Sequence, residues 1–259
     1  MAIMINLPRY LFGLCALISA FQLSALEDKS PLQADEVKQL IVAVSKDWEA
    51  TTATLYTFEK RDDGWHQTEL QSQVNLGRTG LAWGKGLHPE QTGLSKKEGD
   101  GKAPAGIFDL GIAFGYLKSV NTAMPYQQMS ATDYCMDVNG SPLYNQIVDQ
   151  AVVGKEATKG SSEAMRLDIH HNQNMYKKGL VVKHNPANVS GQGSCIFMHL
   201  WKGQGKPTAG CTSMPENVMD RLLAWLDKAQ HPLYVALPEA EYLAKKQQWA
   251  LPDITSNHQ

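Results

Sequence analysis

Residues 39–44 (Gln-Leu-Ile-Val-Ala-Val), 52–58 (Thr-Ala-Thr-Leu-Tyr-Thr-Phe) and 68–76 (Thr-Glu-Leu-Gln-Ser-Gln-Val-Asn-Leu) are rich in β-branched side chains or alternate apolar with polar ones. A period of two sends successive side chains to opposite faces of a strand, and polar turns such as Arg61-Asp-Asp-Gly64 separate the runs, so the pattern predicts a β-meander. Later strands are predicted over 180–184, 194–201 and 233–237, and helices over 161–166, 214–228 and 239–248. The helix over 214–228 carries the clearest signals. Ser213 followed by Glu216 reads as a capping box, Pro215 falls in the first turn, and Val218, Met219, Leu222, Leu223, Trp225 and Leu226 recur at helical spacing. From Gly77 to Gly115 glycines are so frequent that the segment reads as tight turns and irregular loops over a sheet. Neither a G-x-x-x-x-G-K-[ST] nor a G-x-G-x-x-G after a strand occurs there, which argues against a phosphate loop.

The first 25 residues differ from the rest. Arg9 is their one charged side chain, and residues 10–23 form an apolar run shorter than the ~20 residues that span a bilayer. This is the pattern of a secretory signal peptide over 1–25, with cleavage expected after Ala25, leaving no stable membrane span in the mature chain. Cys15 lies inside the apolar run behind a bulky Leu14, which does not fit a lipobox. The remainder, 26–259, reads as a single domain with its core over about 39–237 and a helical tail over 238–259. Of the 259 residues 43% are hydrophobic and 19% charged, which excludes a disordered chain, and a net charge of −2 leaves no positive field for nucleic acid.

Three cysteines follow the leader: Cys135, Cys195 and Cys211. An odd count in an exported protein means one pair and a free thiol, or three free thiols. In 194–201 strand alternation puts Cys195, Phe197, His199 and Trp201 on one face. Cys211 then falls two residues before the expected cap of the 214–228 helix, where the helix N-terminus and a nearby imidazole favour a thiolate, and Gly210 permits a tight path that aims backbone N–H groups at an oxyanion. The residues alone leave open a Cys/His nucleophilic pair or a structural cysteine beside a core histidine.

At these residues the chain resembles the L,D-transpeptidase catalytic-domain family of the YkuD type. The resemblance spans roughly 39 to 237 and rests on Gly99-Asp-Gly-Lys-Ala-Pro-Ala-Gly-Ile-Phe-Asp-Leu-Gly111, on Ser141-Pro-Leu-Tyr-Asn-Gln-Ile-Val-Asp149, and on a strand histidine followed by a [Ser/Thr]-x-Gly-Cys element and a helix. It implies a mainly β (α+β) domain, a β-sandwich or mixed sheet with a helix after the nucleophile cysteine. It further implies a periplasmic enzyme acting on peptidoglycan stem peptides without metal or organic cofactor. Cys211 matches the nucleophile, His199 the base, Gly210 the glycine before the nucleophile and Thr208 the hydroxyl opening the motif. The resemblance also puts Tyr144 and Asn145 at the substrate, and Thr208 and Trp201, the latter on the His199 face of its strand, are expected to bind it too. The common motif is Ser/Thr-His-Gly-Cys with an arginine two residues on, whereas this chain has Thr208-Ala209-Gly210-Cys211-Thr212-Ser213. If the missing arginine holds a substrate carboxylate, this chain must use another cation or another substrate; Arg166, Lys183 and Lys206 are the candidate cations, each otherwise read as a solvated charge. The Ala-Gly-Cys form resembles a branch whose members hydrolyse peptidoglycan bonds or release attached proteins, which adds an envelope lipoprotein to the expected partners.

A Cys135–Cys195 disulfide would leave Cys211 free and suits an oxidising periplasm. His170 and His171 beside Asp168 lack further ligands at zinc-like spacing and read as surface residues, and Asp133, Asp137 and Asp149 read as turn residues. The competing class is a non-catalytic peptidoglycan-binding protein on an inherited enzyme fold.

Overall fold

The computed structural model describes residues 29–255, together with Met1. The expected leader, with Cys15, lies outside the described residues. The chain is mainly β: β1 (Gln39–Ser45), β2 (Thr52–Arg61), β3 (Gly64–Asn75), β4 (Leu81–Trp83), β5 (Ala103–Gly115), β6 (Tyr126–Gln128), β7 (Asp133–Cys135), β8 (Ile147–Asp149), β9 (Glu163–Ala164), β10 (Lys178–Val182), β11 (Phe197–Leu200), β12 (Thr212–Met214) and β13 (Leu233–Pro238). The α-helices are α1 (Gln150–Val153), α2 (Leu167–His171), α3 (Glu216–Trp225) and α4 (Glu239–Lys245).

The meander β1–β2–β3 forms as the alternation requires, antiparallel throughout. Neighbouring strands then run β10-β11-β12-β3-β2-β1-β13-β5, and β5 pairs back to β10, so the eight strands close into a barrel. The expected mixed sheet is present, with β1–β13 and β11–β12 parallel, but it closes on itself instead of leaving two facing layers. Closure removes sheet edges that would otherwise need covering. A separate sheet, β8-β7-β9, lies off the barrel.

Two buried clusters result, and alternation along three strands separates them. Met198, Ala113 and Leu180 belong to the main cluster with Leu40, Val42 and Phe108, whereas their chain neighbours Phe197, Phe114 and Val181 pack with Cys135, Cys195, Tyr176 and Cys211 in the second. β5, β10 and β11 therefore form a wall with the barrel core on one side and the cysteine-bearing cluster on the other. The helical tail is part of the fold: Tyr242, Trp249 and Leu251 are buried in the main cluster, and the Tyr242 hydroxyl donates to the Pro252 carbonyl at 2.7 Å.

Several expectations are corrected. The glycine-rich 77–115 segment contains the longest strand, β5, in which Gly106 is required because a Cβ there would stand 1.9 Å from His88 Cε1. Residues 161–166 are not helical: Glu163 and Ala164 pair with β7 and the helix starts at Leu167. Ser213 is no cap. It lies in β12, paired with His199, and its Oγ accepts from Asn75 Nδ2 at 3.4 Å; α3 begins after Pro215 without a side-chain cap. Val218, Met219, Leu222 and Leu223 do bury as the helical spacing demands. Among the described residues no helix is long and apolar enough to cross a membrane.

Candidate active site

Parallel pairing of Met198 with Thr212 and His199 with Ser213 brings Cys211 level with Phe197. The Phe197 N–H donates to Cys211 Sγ at 3.3 Å, and Sγ lies 3.6 Å from the Cys195 carbonyl, to which the thiol donates. The turn into this position is fixed by Thr208, whose Oγ1 accepts the Gly210 N–H at 3.0 Å and donates to the Cys211 carbonyl at 2.6 Å. Thr208 therefore shapes the turn into Cys211, and the Gly210 N–H is engaged there instead of pointing at an oxyanion. Gly210 has φ 153°, and a Cβ on it would stand 2.9 Å from the Lys102 carbonyl. Gly210→Ala is expected to lower stability by about 1–3 kcal/mol, read from urea unfolding, because strain and clash both fall on backbone that cannot yield. A loss below about 0.5 kcal/mol would contradict this packing.

His199 is buried on β11, and its Nδ1 donates to the Leu200 carbonyl at 2.8 Å. A carbonyl can only accept, so the proton sits on Nδ1 and Nε2 keeps the lone pair a base needs. The ring packs edge-on against Tyr176, with centroids 5.2 Å apart. Burial lowers the His199 pKa to about 4 and lifts the Cys211 thiol to about 12. The expected helix-activated thiolate is thus corrected: β12 separates Cys211 from α3, and the resting pair is a neutral thiol and a neutral imidazole. Both side chains leave the same face of the wall, His199 two positions beyond Phe197, or roughly 7 Å along the strand. Among the described residues no hydrogen bond joins them.

Cys135 and Cys195 form a disulfide, and Cys211 is free. Cys195 has φ 55°; its N–H donates to Asn145 Oδ1 at 2.9 Å, and Asn145 Nδ2 reaches the His184 and Asn185 carbonyls at 3.0 Å each. Tyr144 is 1% exposed; its hydroxyl donates to Glu98 and accepts the Gly193 N–H at 3.1 Å. Tyr144 and Asn145 thus hold the segment ahead of Cys195, although the Asn145 edge also lines a cleft of about 520 Å³ beside the disulfide with Ile147, Val181 and Phe197. Trp201 lies past the end of β11 in a different depression, with Met175, Lys202 and Glu216.

Two residues that sequence patterning missed face this cluster. Glu163 on β9 accepts the Tyr176 hydroxyl at 2.6 Å, and burial raises its carboxyl to about 7. The unfolded chain releases this proton near 4.5, so between about pH 4.5 and 7 it binds fewer protons than the folded state and stability falls as pH rises. Glu163→Gln is expected to flatten that fall in urea midpoints measured from pH 4 to 8, and an unchanged slope would contradict it. The other missed residue is Lys96, whose side chain is 4% exposed and paired to Asp100 at 2.7 Å.

The cations expected from sequence are engaged elsewhere or exposed. Arg166 makes paired 2.8 Å bonds to Asp168, Lys183 pairs with Asp109 at 2.7 Å, and Lys206 is on an exposed loop. His170 and His171 end α2, and His170 Nε2 contacts the Ala131 carbonyl at 2.8 Å. Asp133, Asp137 and Asp149 accept backbone N–H groups of Ser130, Ser162 and Ala151. No group of three His, Cys, Asp or Glu side chains among the described residues is arranged to hold a metal ion.

Fold and site together define a closed β-barrel with a neutral histidine on β11 and a buried free thiol in the turn that leads into the neighbouring β12. No protein-family model matches the chain, and no curated protein matches it. Two solved structures are similar, the helical cell shape determining protein Pgp2 from Campylobacter jejuni and a point mutant of it, each 12% identical with a TM-score of 0.35. The matches cover 78% and 79% of this chain and 48% of each Pgp2 chain, so the present chain spans about half their length.

Proposed function

We propose that the protein is an exported cysteine acyl-transferase acting on peptidoglycan stem peptides, with the chemistry of the L,D-transpeptidase family that its motif blocks resemble. The observation that carries the reading is the placement of a free thiol, just ahead of β12, on the same face as a β11 histidine whose Nδ1 is tied to a backbone carbonyl. As Cys211 attacks an amide carbonyl of the stem, His199 Nε2 takes the thiol proton and returns it to the departing amine, leaving a thioester on Cys211. An amine acceptor then gives a cross-link, whereas water gives hydrolysis. With the thiol raised and the imidazole lowered, the proton must move together with the attack and not ahead of it. The apolar 10–23 segment and the disulfide support a periplasmic setting.

A second reading, a non-catalytic peptidoglycan-binding protein, draws on the burial of Cys211, which is 8% exposed. Incubation of the purified protein with intact sacculi and with disaccharide-tetrapeptides, followed by mass spectrometry, separates these. The proposal expects Cys211-dependent dimers, or Cys211-dependent cleaved stems if water is the acceptor; no Cys211-dependent product on either substrate would leave the binding reading.

A further inference from the structure

The loop between β4 and β5 carries a lysine into a place that sequence spacing does not reveal. The Lys96 side chain passes between two glycines, one ahead of each cysteine on this wall. A Cβ on Gly193 would meet Lys96 Cγ and Cε at 3.0 Å, and a Cβ on Gly210 would meet Lys96 Nζ at 3.6 Å. The ammonium is thereby delivered against the backbone turn that presents Cys211. Its loop is fastened on several sides. The Lys96 N–H donates to the Trp83 carbonyl at 2.8 Å and the Glu98 N–H to the Gly191 carbonyl at 2.9 Å, and the Glu98 carboxylate accepts Tyr144 and, at 2.6 Å, Ser194 Oγ.

An ammonium has three donors. Lys96 uses one on Asp100 Oδ1 at 2.7 Å and one on the Lys97 carbonyl at 3.2 Å; among the described residues no partner takes the third. Asp100 is itself tied down by the Lys97 and Lys102 N–H groups at 2.8 and 2.9 Å, so the pair cannot turn away to solvent without breaking the loop. The Asp100 partner offsets the cost of holding the ammonium away from water, and it leaves the third donor open to a ligand. The family's motif arginine is missing after Cys211; Lys96, unlike Arg166 and Lys183, stands against the Gly210 turn and acts on the Cys211 thiol.

We propose that Lys96 is the cation of this site: its third N–H receives a free carboxylate carried next to the acyl group that Cys211 attacks, so that carboxylate-bearing donors are selected. This deepens the proposed function and rests on it for the identity of the donor, a stem-peptide residue with an unblocked carboxylate. The cation also lowers the cost of negative charge on Cys211, the direction in which Lys96 acts on that thiol. Charge-assisted bonds in a water-poor site are stronger than neutral ones, which gives the interaction its discrimination.

The test compares iodoacetate with iodoacetamide as alkylators of Cys211 in the native full chain, read by peptide mass spectrometry across pH 6–10. In both reactions the Cys211 sulfur displaces iodide and its proton leaves to solvent, and the reagents are close in size, so burial cancels in the ratio of rates while the carboxylate does not. Lys96→Met and Lys96→Gln are expected to lower the iodoacetate-to-iodoacetamide ratio on the order of tenfold, with Lys96→Arg keeping most of the parent ratio. Asp100→Asn, which removes the competing internal charge, is expected to raise the ratio and decides the matter if the Lys96 variants do not fold. Equal slowing of both reagents would make Lys96 a structural residue, and no alkylation by either would show that no carboxylate reaches it; each overturns the proposal. Neither reagent is a cell-wall peptide, so inactivity on sacculi with a Lys96-dependent ratio would remove the peptidoglycan reading and leave the cation site standing.

Discussion

Cys211→Ala is expected to lower the initial rate of the proposed product formation from sacculi and disaccharide-tetrapeptides by at least about 10³-fold, while the urea midpoint changes little. In the proposed mechanism the thiol forms the covalent bond, and no second free cysteine exists among the described residues to replace it. Cys211→Ser is expected to be nearly as inactive. A hydroxyl is a far weaker nucleophile than a thiol, and the His199 lone pair, lowered to about 4 by burial, is a poor base for an alcohol. Rates measured by mass spectrometry on folded variants check this. A Cys211→Ala protein retaining more than a tenth of the parent rate would move the chemistry to another residue.

The second large effect is on stability. Cys135 and Cys195 are 60 residues apart, and the chain-entropy account assigns a crosslink of that length about 4 kcal/mol. Cys135→Ser with Cys195→Ser, or reduction of the native protein, should lower the unfolding free energy by roughly that amount, read from urea curves with and without reductant. The damage extends to the site, because the Cys195 carbonyl accepts the Cys211 thiol and the Cys195 N–H is held by Asn145. A loss under about 1 kcal/mol would mean that the β7 sheet and the Asn145 bonds hold the segment without the bridge.

Much of the barrel was legible because alternation is a local property. β1, β2, β3 and β13 lie within a few residues of where the pattern predicts them. β5 was not legible: Pro104, Gly106 and Gly111 look like breaks, yet Gly106 is demanded by His88 and Gly111 by Val181 across the wall. The apparent capping box at Ser213 and Glu216 failed for a related reason, since pairing with His199 takes Ser213 into β12 and Glu216 instead pairs with Lys177 and Lys178. For the site, residue type and order single out Cys211 and His199. Their burial, and therefore their neutral resting state, depends on Tyr176, Phe197 and the disulfide closing over them. Lys96 and Glu163 carry no local signal at all: each is an ordinary charged residue in a loop or short strand until the fold brings it to Cys211.

The central claim is that Cys211 becomes acylated by a stem peptide. Acid-quenched intact-mass measurement of the protein after brief incubation with disaccharide-tetrapeptide, with peptide mapping and hydroxylamine release, tests it directly. The account predicts a hydroxylamine-labile adduct of the acyl donor's mass on Cys211, absent from Cys211→Ala and diminished in His199→Ala. Product formation without any adduct on Cys211 would contradict it.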